Sequence, residues 1–193
     1  MGWSPACVRW RSRYTMENPG ERGASAPCCD PARLVMGTNR GLTPPLAMLP
    51  FVRLVIPRPL LDAVLAHARA ALPNECCGLL AGVVENGVGR VTGHYPVRND
   101  LASPTEYATN PRDLLDASKA MREAGTDPLA VYHSHPTSDP VPSRKDRERN
   151  YWGETAVHVI IGLAGDEPDV RAWWITEDGY RSAAFHVEPG GLS

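Results

Sequence analysis

The stretch that most restricts how this chain can fold is Val131 to Asp146, VYHSHPTSDPVPSRKD. It carries two histidines with one residue between them, His133 and His135. Seven residues then lead to Ser143, and two more lead to Asp146. The segment LAVYHSH is β-branched and aromatic and follows a helical pattern, which predicts a strand. Side chains at i and i+2 of a strand share one face, so the two imidazoles project side by side at its carboxyl end. Pro136 has no N–H to donate and stops the ladder. After a proline-rich loop, SRKDRERNYW can begin a helix at Ser143, with Asp146 one turn in and on the same side. Two neutral imidazoles and one carboxylate are a common ligand set for zinc, with a fourth position left for water.

Each part has an ordinary reading as well. A single strand histidine is usually packed or solvated, and Ser-x-x-Asp is a fair helix N-terminus signal. The joint pattern should arise by accident in roughly one chain per thousand or fewer of this length, given average residue frequencies. A purely structural reading gives no reason for the second histidine, so a metal site is the better expectation.

The chain of 193 residues fits one domain with a tail, and its 42% hydrophobic content suffices for an ordinary core. A net charge of −2 offers no basic footprint for nucleic acid. The five cysteines form no CxxC pair and are odd in number, which indicates neither a zinc ribbon nor a disulfide framework. No apolar run approaches the roughly 20 residues of a membrane span, and the start lacks a signal-peptide pattern. A cytoplasmic location is therefore expected.

Residues 1–50 read differently from 51–189. They hold seven prolines, Cys7, Cys28 and Cys29, and no sustained period of 2 or 3.6. Six Arg against Glu17, Glu21 and Asp30 give +3, which leaves −5 for the remainder. Such a segment is expected to be disordered, or Met48 is the true start and the upstream residues are an artefact. The domain then opens with a strand, Arg53–Ile56. A helix follows Pro59, with Leu60, Leu61, Val64, Leu65, Ala68 and Leu72 on its apolar face and His67 solvated. The buried-looking CCGLLAGVVE turns at Asn86-Gly87 into RVTGHYPVRN, where His94 is a packing residue. Asn110 caps a second helix that Gly125 closes. AVHVIIGLAG predicts a central strand in which His158 is packed rather than catalytic. VRAWWIT and YRSAAFHVE are read as two last strands, joined by a hairpin at Glu177-Asp178-Gly179. Together these elements predict an α/β fold, a mixed and curved sheet with two longer helices and one short one.

His-Ser-His-Pro followed by Ser-x-x-Asp resembles the JAMM (MPN-plus) metalloprotease motif. That motif also needs a glutamate well upstream, before a Cys-Gly-Leu-Leu strand, and Glu75 stands there in Asn74-Glu75-Cys76-Cys77-Gly78-Leu79-Leu80. The likeness continues through Asn99 to Tyr107 and covers about 55 to 187. It implies the JAMM, cytidine-deaminase-like α/β sandwich, with zinc on His133, His135 and Asp146. It further implies Glu75 as general base and Ser143 as hydrogen-bond donor to the oxyanion. The reaction implied is hydrolysis of an amide or isopeptide bond after a C-terminal Gly-Gly. Only ten residues separate Asp146 from Val157, too few for the insertions of the ubiquitin-directed eukaryotic members. The chain is thus similar to compact prokaryotic members, whose partners are small ubiquitin-like or sulfur-carrier proteins and some of which release cysteine. Two other readings stay open: a catalytically silent MPN-type scaffold, and a hydrolase of a small-molecule amide.

Overall fold

A computed structural model of the chain describes residues 49–176 and 178–190. The expectation of a disordered or spurious tail concerns residues that lie, up to 48, outside the described ones. Among the described residues eight strands and three helices follow in order. They are β1 (Arg53–Pro57), α1 (Arg58–Ala70), β2 (Cys77–Glu85), β3 (Val88–Val97), α2 (Pro111–Glu123), β4 (Asp127–His135), α3 (Arg144–Glu148), β5 (Val157–Gly162), β6 (Asp169–Thr176), β7 (Gly179–Ser182) and β8 (Ala184–Glu188). The local signals explain most boundaries. Pro59 sits in the first turn of α1, where its missing N–H costs nothing. Asn110 caps α2 by accepting from the Arg112 and Asp113 amides. Asn86 and Gly87 take positive φ (51° and 74°), as a two-residue hairpin requires. No helix among the described residues is long and apolar enough to cross a membrane.

The strands form one mixed sheet in the order β7-β6-β5-β4-β2-β3-β1-β8. β4 pairs parallel with β5 and antiparallel with β2, while β1 pairs parallel with both β3 and β8. Here the expected single last strand, YRSAAFHVE, needs correction. β7 pairs with β6 at one end of the sheet, and β8 pairs with β1 at the other. Only Ala183 lies between them, buried, its N–H donating to the Ala172 carbonyl. Two strands joined by one residue can occupy opposite ends only if the sheet curls until those ends approach each other.

Side chains alternate between the two faces of this sheet. Leu80, Ala130, Tyr132, Val157, Val159 and Ile161 pack with Leu61, Val64 and Ala68 of α1. Leu79, Ala81 and Val131 pack with Ala117 and Met121 of α2. His133 and His135 follow Val131 by steps of two and so belong to the α2 face. Gly78 is required where it is, because a Cβ there would overlap the Tyr132 ring from the neighbouring strand.

Three further expectations differ from the structure. Leu72 lies beyond the end of α1 and is exposed, so it is not part of the buried stripe. His67 is not simply solvated: its Nδ1 lies 2.8 Å from the Tyr132 hydroxyl, which also meets His94 Nε2 at 2.7 Å. The helix starting at Ser143 is short, ending at Glu148 with no buried residue. A segment with charges on every side has no apolar stripe to hold a longer helix against the sheet.

Candidate metal centre

β4 delivers both histidines from a fully buried run, and neither is more than 6% exposed. Their Nε2 atoms lie 3.2 Å apart. Asp146 reaches the same point from the first turn of α3, with Oδ1 at 3.3 Å from His133 Nε2 and Oδ2 at 3.6 Å from His135 Nε2. One donor atom from each of the three residues falls within 4.8 Å of the others. The pattern that made Ser-x-x-Asp ambiguous is realised in full. Ser143 Oγ accepts from the Asp146 amide at 3.2 Å, and Asp146 Oδ2 accepts from the Ser143 amide at 2.7 Å. The same carboxylate thus caps the helix and faces the imidazoles. Burial alone would raise its pKa, but the bonds to His133 and His135 outweigh that and hold it well below the usual carboxylate range.

Small contacts set the orientation of each group. His135 Nδ1 lies 2.7 Å from the Asp139 carbonyl. A carbonyl can only accept, so Nδ1 carries the proton and a neutral His135 presents a bare Nε2 to the centre. The loop that supplies this carbonyl is anchored on β6 through Trp173 Nε1–H, which donates to the Pro140 carbonyl at 2.8 Å. Tyr107 stacks on His133 at 4.7 Å between ring centroids. Sequence reasoning saw Tyr107 only as the end of a resembling segment, and no local signal pairs it with a residue 26 positions away.

Glu75 is 6% exposed and stands just before β2. It is not one of the three converging ligands among the described residues. Its amide donates to the Ser103 carbonyl, and its carbonyl accepts from Asn99 Nδ2 at 3.0 Å. Asn99 also bonds the Glu106 carbonyl and the Ala108 amide, stapling the 99–109 loop to the start of β2. Ser134, between the two histidines but on the opposite face, accepts the Cys76 amide on its Oγ at 2.9 Å. That bond fixes the spacing between Glu75 and the imidazole strand. Burial pushes the Glu75 carboxyl up to about 7, with His135 lowering it and Asp146 and Glu106 raising it. Glu75 therefore sits within the electrostatic reach of the centre. Ser143 is exposed, and in its capping bond Oγ accepts from the Asp146 amide.

Beside Asp146 a cavity of about 240 Å³ is lined by Glu106, Tyr107, Lys145, Arg149, Trp152 and His158, among others. Lys145 and Arg149 share Glu106 at 2.7 and 3.2 Å, which ties α3 to the 99–109 loop across its mouth. Cys76 and Cys77 are buried, and burial pushes their thiols up to about 11 and about 12. Neither is an activated nucleophile. His158 is buried, as expected for a packed residue.

Known proteins share this arrangement of chain. The solution structure of a protein from Desulfitobacterium hafniense superposes with a TM-score of 0.66 at 32% identity, covering 72% of this chain and 95% of that one. A desampylase from Haloferax volcanii is 41% identical over 66% of this chain and 91% of its own length. A CysO-cysteine peptidase from Mycobacterium tuberculosis is 41% identical over 48% of this chain and 62% of its own length. Residues 57–176, from the end of β1 to the end of β6, match the family described as prokaryotic homologs of the JAB domain. With the fold, the relatives and that match in agreement, the chain belongs to the prokaryotic JAB-domain family.

Proposed function

We propose that the chain is a zinc-dependent hydrolase of the amide or isopeptide bond that follows the C-terminal Gly-Gly of a small ubiquitin-like or sulfur-carrier protein. The observation that carries this reading is the convergence of His133 and His135, both buried, with Asp146, and the raised carboxyl of Glu75 within their electrostatic reach. The donor set fits zinc. The imidazole Nε2 atoms and an ionised carboxylate face one another at 3.2–3.6 Å, three donors that one cation can draw together once the ring protons lie on Nδ1, and the mixed N/O set suits zinc. The desampylase and CysO-cysteine peptidase names among the relatives support the substrate class.

Zinc held there would supply a Lewis acid, which polarises a carbonyl and acidifies water. The rest of the chemistry belongs to the chain's own residues. Glu75, with a pKa brought toward neutrality by burial, takes the proton of the attacking water as its oxygen bonds to the carbonyl carbon. Ser143 Oγ–H donates to the carbonyl oxygen as negative charge gathers on it. Glu75 then returns the proton to the departing amine as the C–N bond breaks. An isopeptide linkage releases a lysine amine, and a linkage to cysteine releases its α-amine.

The test is a small protein ending in Gly-Gly joined to a lysine side chain or to a cysteine amine, with cleavage followed by mass. The zinc-loaded chain should release the intact Gly-Gly terminus from at least one conjugate, and chelation should abolish the release. An intact conjugate after prolonged incubation with loaded protein would contradict the proposal.

A further inference from the structure

We infer that His158 is a positioning residue for the candidate metal ligand His133, acting on its Nδ1–H through one bridging water and held in the required tautomer by Asn150. The inference rests on the metal-binding reading of the centre. It begins with two buried nitrogens that lack a hydrogen-bond partner, Nδ1 of His133 and Nδ1 of His158.

The two imidazoles share a face of the sheet. In the β4–β5 ladder Val131 is level with His158, and His133 is level with Ile160. His133 and His158 are therefore diagonal neighbours, two positions out of register on adjacent strands, pointing the same way. Each is at most 2% exposed. Proximity is also visible in the influence of His133 on His158, which adds to burial in lowering the His158 pKa.

The proton on each ring follows from its surroundings. Asn150 Nδ2 donates to two carbonyls, Gly153 and Ile175, at 3.1 Å each. That fixes the amide orientation, because a flipped amide would set its oxygen against both carbonyls. Asn150 Oδ1 must then accept, and it faces His158 Nε2 at 3.0 Å. His158 carries its proton on Nε2, and its Nδ1 is a bare acceptor. On His133 the assignment is reversed. A cation taking the Nε2 lone pair leaves the ring proton on Nδ1, a fully buried donor.

A metal-ligating histidine almost always donates its other N–H to an acceptor, which fixes the ring and raises its basicity. His135 obeys this rule through the Asp139 carbonyl at 2.7 Å. His133 has no acceptor within bonding distance, yet a buried, complementary acceptor sits on the next strand. No direct hydrogen bond joins the two groups, and a donor and an acceptor so placed on neighbouring strands are what a single water joins. It accepts from His133 Nδ1–H and donates to His158 Nδ1. Asn150–His158–water–His133 then forms one chain, running from the residues just after α3 through β5 to the centre.

The experiment is zinc affinity of the full chain, by competition with a chelator, for wild type, His158→Phe and His158→Gln. His158→Phe fills the space without an acceptor and should weaken zinc about 10- to 100-fold. His158→Gln restores an acceptor carbonyl and should recover most of that loss. Equal affinity for wild type and His158→Phe would overturn the inference and leave the zinc site standing. Equal weakening in both variants would also overturn it, since the effect would then be one of packing. Wild type that binds no zinc would overturn the metal site itself. A nitrogen NMR spectrum of zinc-loaded wild type needs no variant to fold. His158 should show a protonated Nε2 and a bare Nδ1 at about pH 7, and a protonated Nδ1 would overturn the assignment.

Discussion

A carboxyl group acts as a general base only while it is ionised, and in the proposed mechanism this governs Glu75. Its pKa is raised to about 7 by burial. A cation bound at the nearby centre lowers that figure, so the acid limb of the rate profile lies at or below about pH 7. On that limb kcat/KM should rise about tenfold per pH unit and level off above the pKa. An acid limb that lies well above about pH 7 would move the base elsewhere. In the proposed mechanism Ser143 does two jobs that one substitution can separate. Ser143→Ala removes the helix cap, worth about 0.5–2 kcal/mol of stability. It also removes the donor to the developing oxyanion, so kcat should fall about 10²- to 10³-fold with the substrate bound nearly as well. A stability loss with unchanged kcat would leave Ser143 only its capping role.

At the scale of elements, the hydroxyl of Tyr132 on β4 joins α1 to β3 by meeting His67 and His94 together. Burial and the nearby His67 hold His94 down at about 4, and burial lowers His67 as well. An unfolded histidine titrates near 6.5. Between about pH 6.5 and 4 the unfolded chain thus binds a proton at His94 that the folded chain refuses, and stability is lost as pH falls through that window. The loss from His94 alone should be on the order of 2 kcal/mol by pH 5. Urea midpoints at about pH 7 and 5 measure it, and His94→Gln should reduce the difference. An equal pH dependence in His94→Gln would assign the loss to other groups. This network was not legible in the sequence, because its partners stand 65 and 38 residues from Tyr132 and no local period connects them. The split at Ala183 was hidden for the same reason: alternation in YRSAAFHVE marks an extended chain but not its change of partner from β6 to β1. What was legible was local. The i, i+2 spacing put His133 and His135 on one face, and Ser143 with Asp146 marked the start of α3.

At the scale of the whole molecule, the curled sheet lets distant segments meet over one face. Glu75 arrives at the start of β2, the histidines at the end of β4, and Asp146 from α3, with the 99–109 loop stapled across by Asn99 and Glu106. The opposite face is closed by α1 and carries none of these groups. The order of strands explains how one motif position so far upstream can serve the same centre: β2 lies directly against β4, with Cys77 level with His133. The central claim is that three of these residues hold a zinc ion while the fourth moves a proton. It is tested most directly by elemental analysis beside turnover for wild type, His135→Ala and Glu75→Gln. Wild type should carry about one zinc per chain and His135→Ala should lose most of it. Glu75→Gln should keep its zinc while turnover drops about 10²- to 10⁴-fold. Wild-type protein that stays free of zinc after reconstitution, or zinc lost from Glu75→Gln, would contradict the account.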